Sequence, residues 1–300
     1  MLRNFLAALS LLLSVVSADA AARFWVGGTG TWDASDQTHW SSTTGPGNAP
    51  QTVPGAGDTV TFDANSGGGT VTVNTTINVT SITMGAFGGT LDFAANDNNV
   101  TLVTFSNSGT GTRTFNMGDG TWTITTPSAT PWDQGTITNL TFASNASTLV
   151  IAPSSARTAQ ALVNLGASLT YNAITINDPV LASTVERAPI LFTSTTNTIT
   201  TFSITNTYSI KFTGNTTTTI TNGFSYSGAL GTALLIASTD NNSQATISVG
   251  GTVSLEWTAI QNIIKAGAGS ITATNSFDLG GNSATITITS PSSGGRIIGG

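Results

Sequence analysis

The stretches Thr70-Val71-Thr72-Val73-Asn74 and Thr121-Trp122-Thr123-Ile124-Thr125 alternate polar and apolar side chains at every step. A β-strand points successive side chains to opposite faces, so each stretch presents one apolar face and one hydroxylated face. The same alternation recurs at residues 174–177 and 284–289. Threonine makes up about a fifth of the chain, and β-branched residues favour strands. The pattern predicts an all-β protein of about 20 short strands.

Turn-forming residues separate these runs. Clusters of Gly, Asn, Asp and Ser recur about every 8 to 12 residues, as in Gly67-Gly68-Gly69 and Asp240-Asn241-Asn242. These residue types adopt positive φ or bond to their own backbone. Residues 156–165 and 257–265 are candidates for short helices, although we favour strand for the second. The spacing of the turns is typical of both a β-sandwich and a β-solenoid.

Three features favour a single-stranded parallel β-helix (a β-solenoid) over the alternative, a β-sandwich or jelly roll. A degenerate repeat of hydrophobic, hydroxyl and Asn positions links residues 137–142, 202–207 and 219–225, as expected of stacked rungs. Only 7% of the residues are charged, and stacked rungs tolerate columns of Thr or Asn but not columns of like charge. The 300-residue chain is also long for one sandwich, whereas a solenoid grows by adding rungs. We expect about ten rungs of roughly 22 residues around one elongated interior.

The start of the chain, at positions 1–22, has the pattern of a signal peptide. Arg3 precedes an apolar run at residues 5–16, and the small residues at 18–22 fit a cleavage site. The run is shorter than the roughly 20 residues that span a bilayer. We therefore expect a secreted or cell-surface protein with no membrane span after signal cleavage. The absence of cysteine favours bacterial export, because animal secreted proteins usually carry disulfides.

Residues 23–68 differ in composition from the rest of the chain. They contain Trp25, Trp32, Trp40 and the only histidine. An open stack of strands exposes an apolar end and an unpaired edge, so a solenoid needs a terminal cap. The three tryptophans either form this cap or stack on a ligand. The predicted divisions are a signal peptide at 1–22, a Trp/Gly/Pro-rich N-terminal cap at 23–68, a β-solenoid at 69–290 and a flexible Gly/Ser-rich tail at 291–300.

Several motifs resemble those of a known group of proteins. They are Phe24-Trp-Val-Gly-Gly-Thr-Gly-Thr-Trp32-Asp33, His39-Trp40 and Val53-Pro-Gly-Ala-Gly-Asp58-Thr-Val-Thr-Phe62, with related stretches at 82–93, 118–123 and 274–282. The chain resembles secreted bacterial surface β-helix proteins of the autotransporter-passenger type and the β-helical structural proteins of tailed phages and prophages. The resemblance implies a β-helix with a structural role on a cell surface or in a virion.

Composition limits the partners and the chemistry. A net charge of -6 and a pI near 4.4 provide no basic patch for nucleic acid. Zero cysteines and one histidine leave few groups for metal sites or acid-base catalysis. We therefore expect no cofactor and no metal site, and no nucleic acid partner. The expected contacts are with a cell surface or a polymer such as a glycan, and self-association is compatible with the pattern.

The residues that could carry catalysis or sugar binding are few. Asp33, Asp36 and His39 form the closest acidic and imidazole group, for which turn capping is the favoured interpretation over a catalytic or metal site. Stacking of rungs could also bring distant carboxylates such as Asp92, Asp119 and Asp133 together. The remaining tryptophans are Trp122, Trp132 and Trp257. Core packing is the favoured interpretation for these three residues, and stacking on a sugar is the weaker one.

These observations predict a protein that is not an enzyme. The expected function is that of an extracellular structural or adhesive β-solenoid, an adhesin that presents a Thr/Asn-rich surface. One alternative is a phage virion-associated structural or fibre protein. The other is a carbohydrate-binding or carbohydrate-active β-helix, which rests on analogy of fold.

Overall fold

The chain coils through three stacks of parallel strands. The computed structural model describes residues 20–125, 130–154, 159–178, 189–229, 231 and 233–292. Residues 1–19 of the predicted signal peptide and residues 293–300 of the predicted tail lie outside the described residues. Every strand pair recorded in these ranges is parallel except β1 (Ala22–Trp25) with β3 (Trp40–Ser41). This topology confirms the predicted β-solenoid and excludes the antiparallel sandwich.

Short strands and two 3₁₀ turns make up the described residues. In chain order they are β1 (Ala22–Trp25), β2 (Gly30–Trp32), β3 (Trp40–Ser41), η1 (Pro46–Asn48), β4 (Thr59–Phe62), η2 (Ala64–Ser66), β5 (Thr70–Val73), β6 (Ile77–Met84), β7 (Thr90–Asp92), β8 (Val100–Asn107), β9 (Arg113–Asn116), β10 (Thr121–Ile124), β11 (Trp132–Asp133), β12 (Leu140–Ala143), β13 (Thr148–Ile151), β14 (Ala161–Asn164), β15 (Thr170–Asn177), β16 (Ile190–Phe192), β17 (Thr196–Asn206), β18 (Ser209–Phe212), β19 (Thr217–Ile220), β20 (Ser225–Ser227), β21 (Leu234–Ser238), β22 (Ala245–Val249), β23 (Thr252–Glu256), β24 (Thr258–Gln261), β25 (Ile263–Ala266), β26 (Ser270–Thr274), β27 (Phe277–Asp278) and β28 (Ile286–Ile288).

The three stacks define three faces, which the chain visits in the order A, B, C. Face A contains β1, β4, β11, β14, β16, β18, β21, β24, β27 and the second halves of β6 and β8. Face B contains β2, β5, β7, β9 and β12, then the first halves of β15 and β17 with β19, β22 and β25. Face C contains the remaining strand segments, from the first half of β6 to β28.

The rungs vary in length although the strands stay in register. On face A, Ala259 pairs with Phe277, and the chain between them forms a short rung. Trp132 pairs with Val163, and the chain between these two residues forms a much longer rung. The extra residues lie in the connections between faces. Eleven strands stacked about 4.8 Å apart give face A a length of about 50 Å, as expected for about ten rungs.

Inward side chains of equivalent strands stack on one another through the interior. On face A, Phe105 and Trp132 are opposite each other in register, and their rings stack 4.4 Å apart at 20°. Phe192 and Phe212 repeat this arrangement at 5.3 Å and 12°. Such aromatic pairs contribute about 0.5–1.5 kcal/mol each beyond their burial. One continuous apolar core therefore runs from Trp25 to Ile286.

The helix prediction is wrong for residues 161–164, which form β14. Ala161 lies opposite Ile190 and Val163 opposite Phe192, so parallel pairing overrides the local helix propensity. Residues 156–158 of that candidate lie outside the described residues. Residues 258–261 and 263–266 form β24 and β25, which agrees with the strand interpretation favoured for the second candidate. The helices in the described ranges are the two short 3₁₀ turns, and none has the length and hydropathy needed to cross a membrane.

Glycine is required where the corners of adjacent rungs touch. At the corner between faces B and C, a Cβ on Gly251 would lie 2.3 Å from the backbone nitrogen of Gly223. A Cβ on Gly269 would lie 2.0 Å from the carbonyl oxygen of Gly251. Backbone atoms cannot yield as a flexible side chain can, so this column of glycines fixes the close approach of the rungs.

Replacing Gly251 with Ala should destabilise the solenoid by about 1–3 kcal/mol, because the new methyl group overlaps backbone atoms of the preceding rung. The change in unfolding free energy is measured by urea denaturation. Gly55→Ala is the matched control, since nothing lies within 4 Å of its added Cβ. Equal stability of Gly251→Ala and Gly55→Ala would contradict the proposed steric contact.

Candidate functional site

The three tryptophans of the N-terminal segment are fully buried and pack together. Trp40 makes edge contacts with both other rings, at 5.1 Å from Trp25 and 5.0 Å from Trp32. The indole of Trp25 donates to the carbonyl oxygen of Gly28 at 2.9 Å. The indole N–H groups of Trp32 and Trp40 are buried without a partner. All three rings are therefore enclosed by other side chains, and none offers an open face to a ligand.

The strand β3 covers the outer edge of the first rung. Trp25 lies opposite Trp40 in an antiparallel pair, while the other edge of β1 pairs with β4. The ring of His39 stacks on Trp25 at 4.7 Å and 8°, and lies against Gly27 and Gly30. An antiparallel strand and a stacked imidazole thus shield the first edge from another parallel strand, as edge protection requires.

The Asp33, Asp36 and His39 group caps its own loop. One oxygen of Asp33 accepts from the backbone N–H groups of Ser35 and Asp36, and these bonds lower the pKa of Asp33 below its usual 3.8. Burial tends to raise the pKa of Asp36, but hydrogen bonds from Thr38 and His39 outweigh burial and lower it. Asp36 Oδ2 lies 2.5 Å from Nδ1 of His39. The loop that carries His39 is thereby fixed against Trp25.

The distant carboxylates that stacking could have gathered serve separate contacts. Asp92 accepts from the N–H of Ala94, and Asp119 accepts from the N–H of Ala146 in the next rung. Asp133 accepts from the side-chain amide of Asn164. Over the described ranges no three His, Asp or Glu side chains come together in a way that could hold a metal ion.

Side-chain oxygens at the corner between faces B and C link one rung to the next. Asp97 Oδ1 accepts from the N–H of Asp119 at 2.9 Å, and Asn99 Oδ1 accepts from the N–H of Thr121 at 2.9 Å. Asp97 itself has a positive φ of 51°. Short polar side chains suit such turns because they replace missing backbone partners. The acidic and amide residues at this corner therefore have a structural role.

Face B presents threonine in columns that run along the solenoid. In its first stretch the outward residues Thr70, Thr90, Thr114 and Thr141 are aligned by backbone pairing. In its second stretch the aligned residues are Thr196, Thr217 and Thr246, beside Thr170, Thr198, Thr219 and Ser248. Equivalent positions recur about every 4.8 Å. The result is a regular hydroxylated surface of short side chains.

A buried arginine, which the sequence analysis did not single out, closes the corner between faces A and B. Arg113 is 2% exposed and donates to Asn107 Oδ1 at 2.8 Å and to the carbonyl oxygens of Gly111, Thr136 and Thr138. These carbonyls belong to two rungs, so the guanidinium joins them. Arg113 is two residues before Phe115 in β9, so both side chains point to the same, inward face. This spacing is the sequence signal that could have identified Arg113 as buried.

The remaining tryptophans fall into two classes. Trp122 and Trp132 are fully buried in the aromatic core, which confirms the favoured interpretation of core packing for both. Trp257 is partly exposed, at the corner between faces C and A. Trp257 alone of the six is therefore accessible to a ligand.

Replacing Trp32 with Ala should cost about 3–5 kcal/mol of unfolding free energy, because it removes a fully buried ring from the cap. Urea denaturation measures the loss. Leu279→Ala is the control, because Leu279 is 50% exposed and its truncation should change stability by less than about 0.5 kcal/mol. A Trp32→Ala protein as stable as this control would exclude a packing role for the ring.

Acid should weaken the cap through Asp33 and Asp36. Both carboxyls have a folded-state pKa below the usual 3.8, so their contribution is complete above that pH and is lost as the pH falls through the lowered values. Thermal unfolding from pH 5 to pH 2 should therefore decline less steeply in the Asp33→Asn/Asp36→Asn variant than in the wild type. Parallel declines would show that these carboxyls do not contribute.

Comparison of the chain with protein-family models, with curated proteins and with solved structures found no match. The functional conclusion therefore rests on the geometry of the molecule itself. Two accessible features of the described residues are the threonine columns of face B and the corner tryptophan, Trp257.

Proposed function

We propose that this protein is a non-enzymatic extracellular structural or adhesive β-solenoid that attaches through face B. The observation that carries the proposal is the register of outward threonines along this face. Of the residues aligned in these columns, which include Thr72 and Asn116, only Asp92 carries a charge. A flat, periodic array of hydroxyl groups matches an extended uncharged partner better than a small ligand, which requires a concave pocket.

The interior supports a stiff scaffold. Two voids between core side chains such as Ile236 and Ile247 are lined by apolar residues, and neither has a polar group that could orient a substrate. The carboxylates at the corners and in the cap loop are occupied by the hydrogen bonds described above. This use of the acidic residues supports the non-enzymatic part of the proposal, because hydrolysis needs a pair of carboxyls at a shared site.

Attachment should be weakly dependent on salt, because few charges can take part. We expect the protein to adsorb to a hydroxyl-terminated monolayer in preference to amine- and carboxylate-terminated ones, as measured with a quartz-crystal microbalance. Thr114→Lys/Thr219→Lys should weaken adsorption by about tenfold, or ~1.4 kcal/mol, because each long charged side chain interrupts one stretch of face B.

Thr101→Lys/Thr175→Lys is the matched control, because it makes the same change at outward positions of face C that lie far from Trp257. It should adsorb as the wild type does. Equal losses in the two double variants would refute attachment through face B. Release of reducing ends from a polysaccharide by the wild-type protein would refute the non-enzymatic part of the proposal.

A further inference from the structure

Trp257 occupies a backbone conformation that is costly for an aromatic residue. Its φ is +53°, in the left-handed region. Asn275, which occupies the corresponding corner of the next rung, has a φ of +50°. Of the non-glycine residues with positive φ in the described ranges, Trp257 is the only one with a large apolar side chain; the others are Asn, Asp or Ser. Asparagine tolerates this region and tryptophan does not, so strain at Trp257 points to a role other than local folding.

The backbone of Trp257 is held from both neighbouring rungs. Its N–H donates to the carbonyl oxygen of Thr274 at 3.2 Å, and its own carbonyl accepts from Leu234 at 3.1 Å. Gly228 occupies the corner of the preceding rung, where an added Cβ would lie 3.3 Å from the Cβ of Trp257. The indole itself has no stacked ring and no hydrogen bond among the described residues. A rigid base thus presents a partly exposed ring, which favours preorganised binding.

Glu256 precedes Trp257 in the chain, and two hydrogen bonds fix its carboxylate. Ser227 donates to Oε2 at 2.8 Å, and the side-chain amide of Asn275 donates to Oε1 at 3.1 Å. The salt bridges of the described residues are Arg23–Asp58 and His39–Asp36, so no cation neutralises Glu256 there. The carboxylate retains lone pairs for a hydroxyl donor, and its charge repels an anionic ligand.

Face C carries a column of hydroxyl side chains on the strands that lead to this corner. Ser254 and Thr272 are aligned in register two residues before Glu256 and Thr274, and Ser225 continues their column. Short hydroxyl side chains are suited to a ligand that is itself rich in hydroxyls. A bare organic cation would use the ring and the carboxylate but not this column. A sugar chain uses all three features.

We propose that Trp257 and Glu256 form a stacking subsite for a neutral pyranose polysaccharide. The indole packs on the apolar C–H face of one sugar ring, while Glu256 accepts hydrogen bonds from its hydroxyls. The charge of Glu256 rejects polyuronates. This subsite lies at the corner between faces C and A and is independent of attachment through face B.

The test is binding of the full chain to microcrystalline cellulose, to soluble cello-oligosaccharides and to the polyuronate alginate. The wild type should bind the two neutral glucans and not alginate. Trp257→Asn should lower affinity by at least about tenfold, yet leave the melting temperature unchanged or higher, because asparagine suits the left-handed conformation. Glu256→Gln should reduce discrimination against alginate.

Trp257→Asn separates binding from folding, since a ring that served only packing would lower the melting temperature when removed. Leu279→Ala is the matched control for loss of exposed apolar surface and should bind the glucans as the wild type does. Retained glucan binding by Trp257→Asn would overturn the proposal. A wild-type protein that binds neither glucan would overturn the proposal as well.

Tryptophan fluorescence provides a second readout. Five of the six tryptophans are fully buried, so quenching by acrylamide should report on Trp257. A cello-oligosaccharide should protect this quenchable component, which Trp257→Asn should abolish. Absence of protection at saturating oligosaccharide would count against stacking on this ring. Adsorption to the hydroxyl-terminated monolayer should be unchanged in Trp257→Asn, which distinguishes failure of this subsite from failure of face B.

Discussion

Parallel backbone hydrogen bonding in register is the constraint on which the rest of the structure depends. It places each residue directly above its counterpart in the previous rung, about 4.8 Å away. Inside, this stacks Phe105 on Trp132 and Phe192 on Phe212. Outside, it aligns threonines on face B. A column of like charges at this spacing would repel, which accounts physically for the scarcity of charged residues.

The corners meet the same constraint with different residues. Glycine is needed where backbones of adjacent rungs almost touch, as at Gly251 and Gly269. Asparagine and aspartate serve where the chain turns with positive φ or where a free N–H needs an acceptor, as at Asp97 and Asn275. The turn residues of the sequence thus carry as much structural information as its alternating strands do.

The two ends of the stack have different edges. At the start, β3 pairs antiparallel with β1 and brings Trp40 into the buried aromatic group, so the first edge is covered. At the other end, the outer edges of β27 and β28 pair with no further strand among the described residues. Within the described residues the two ends of the stack therefore differ, because the buried aromatic group covers the first edge.

The alternating pattern by itself determined that the chain is all β and set the inward or outward direction of most strand residues, while the degenerate repeat, the low charge and the length favoured a solenoid. It placed Phe115 in the core and implied the same for Arg113, because the side-chain period of a strand is two residues. It also indicated threonine-rich outer surfaces. Tertiary structure alone decided which strands stack, because the connections set the length of each rung, which is short after Ala259 and long after Trp132. It also decided that Trp122 is buried while Trp257 is partly exposed, since a corner releases a side chain from the strand period.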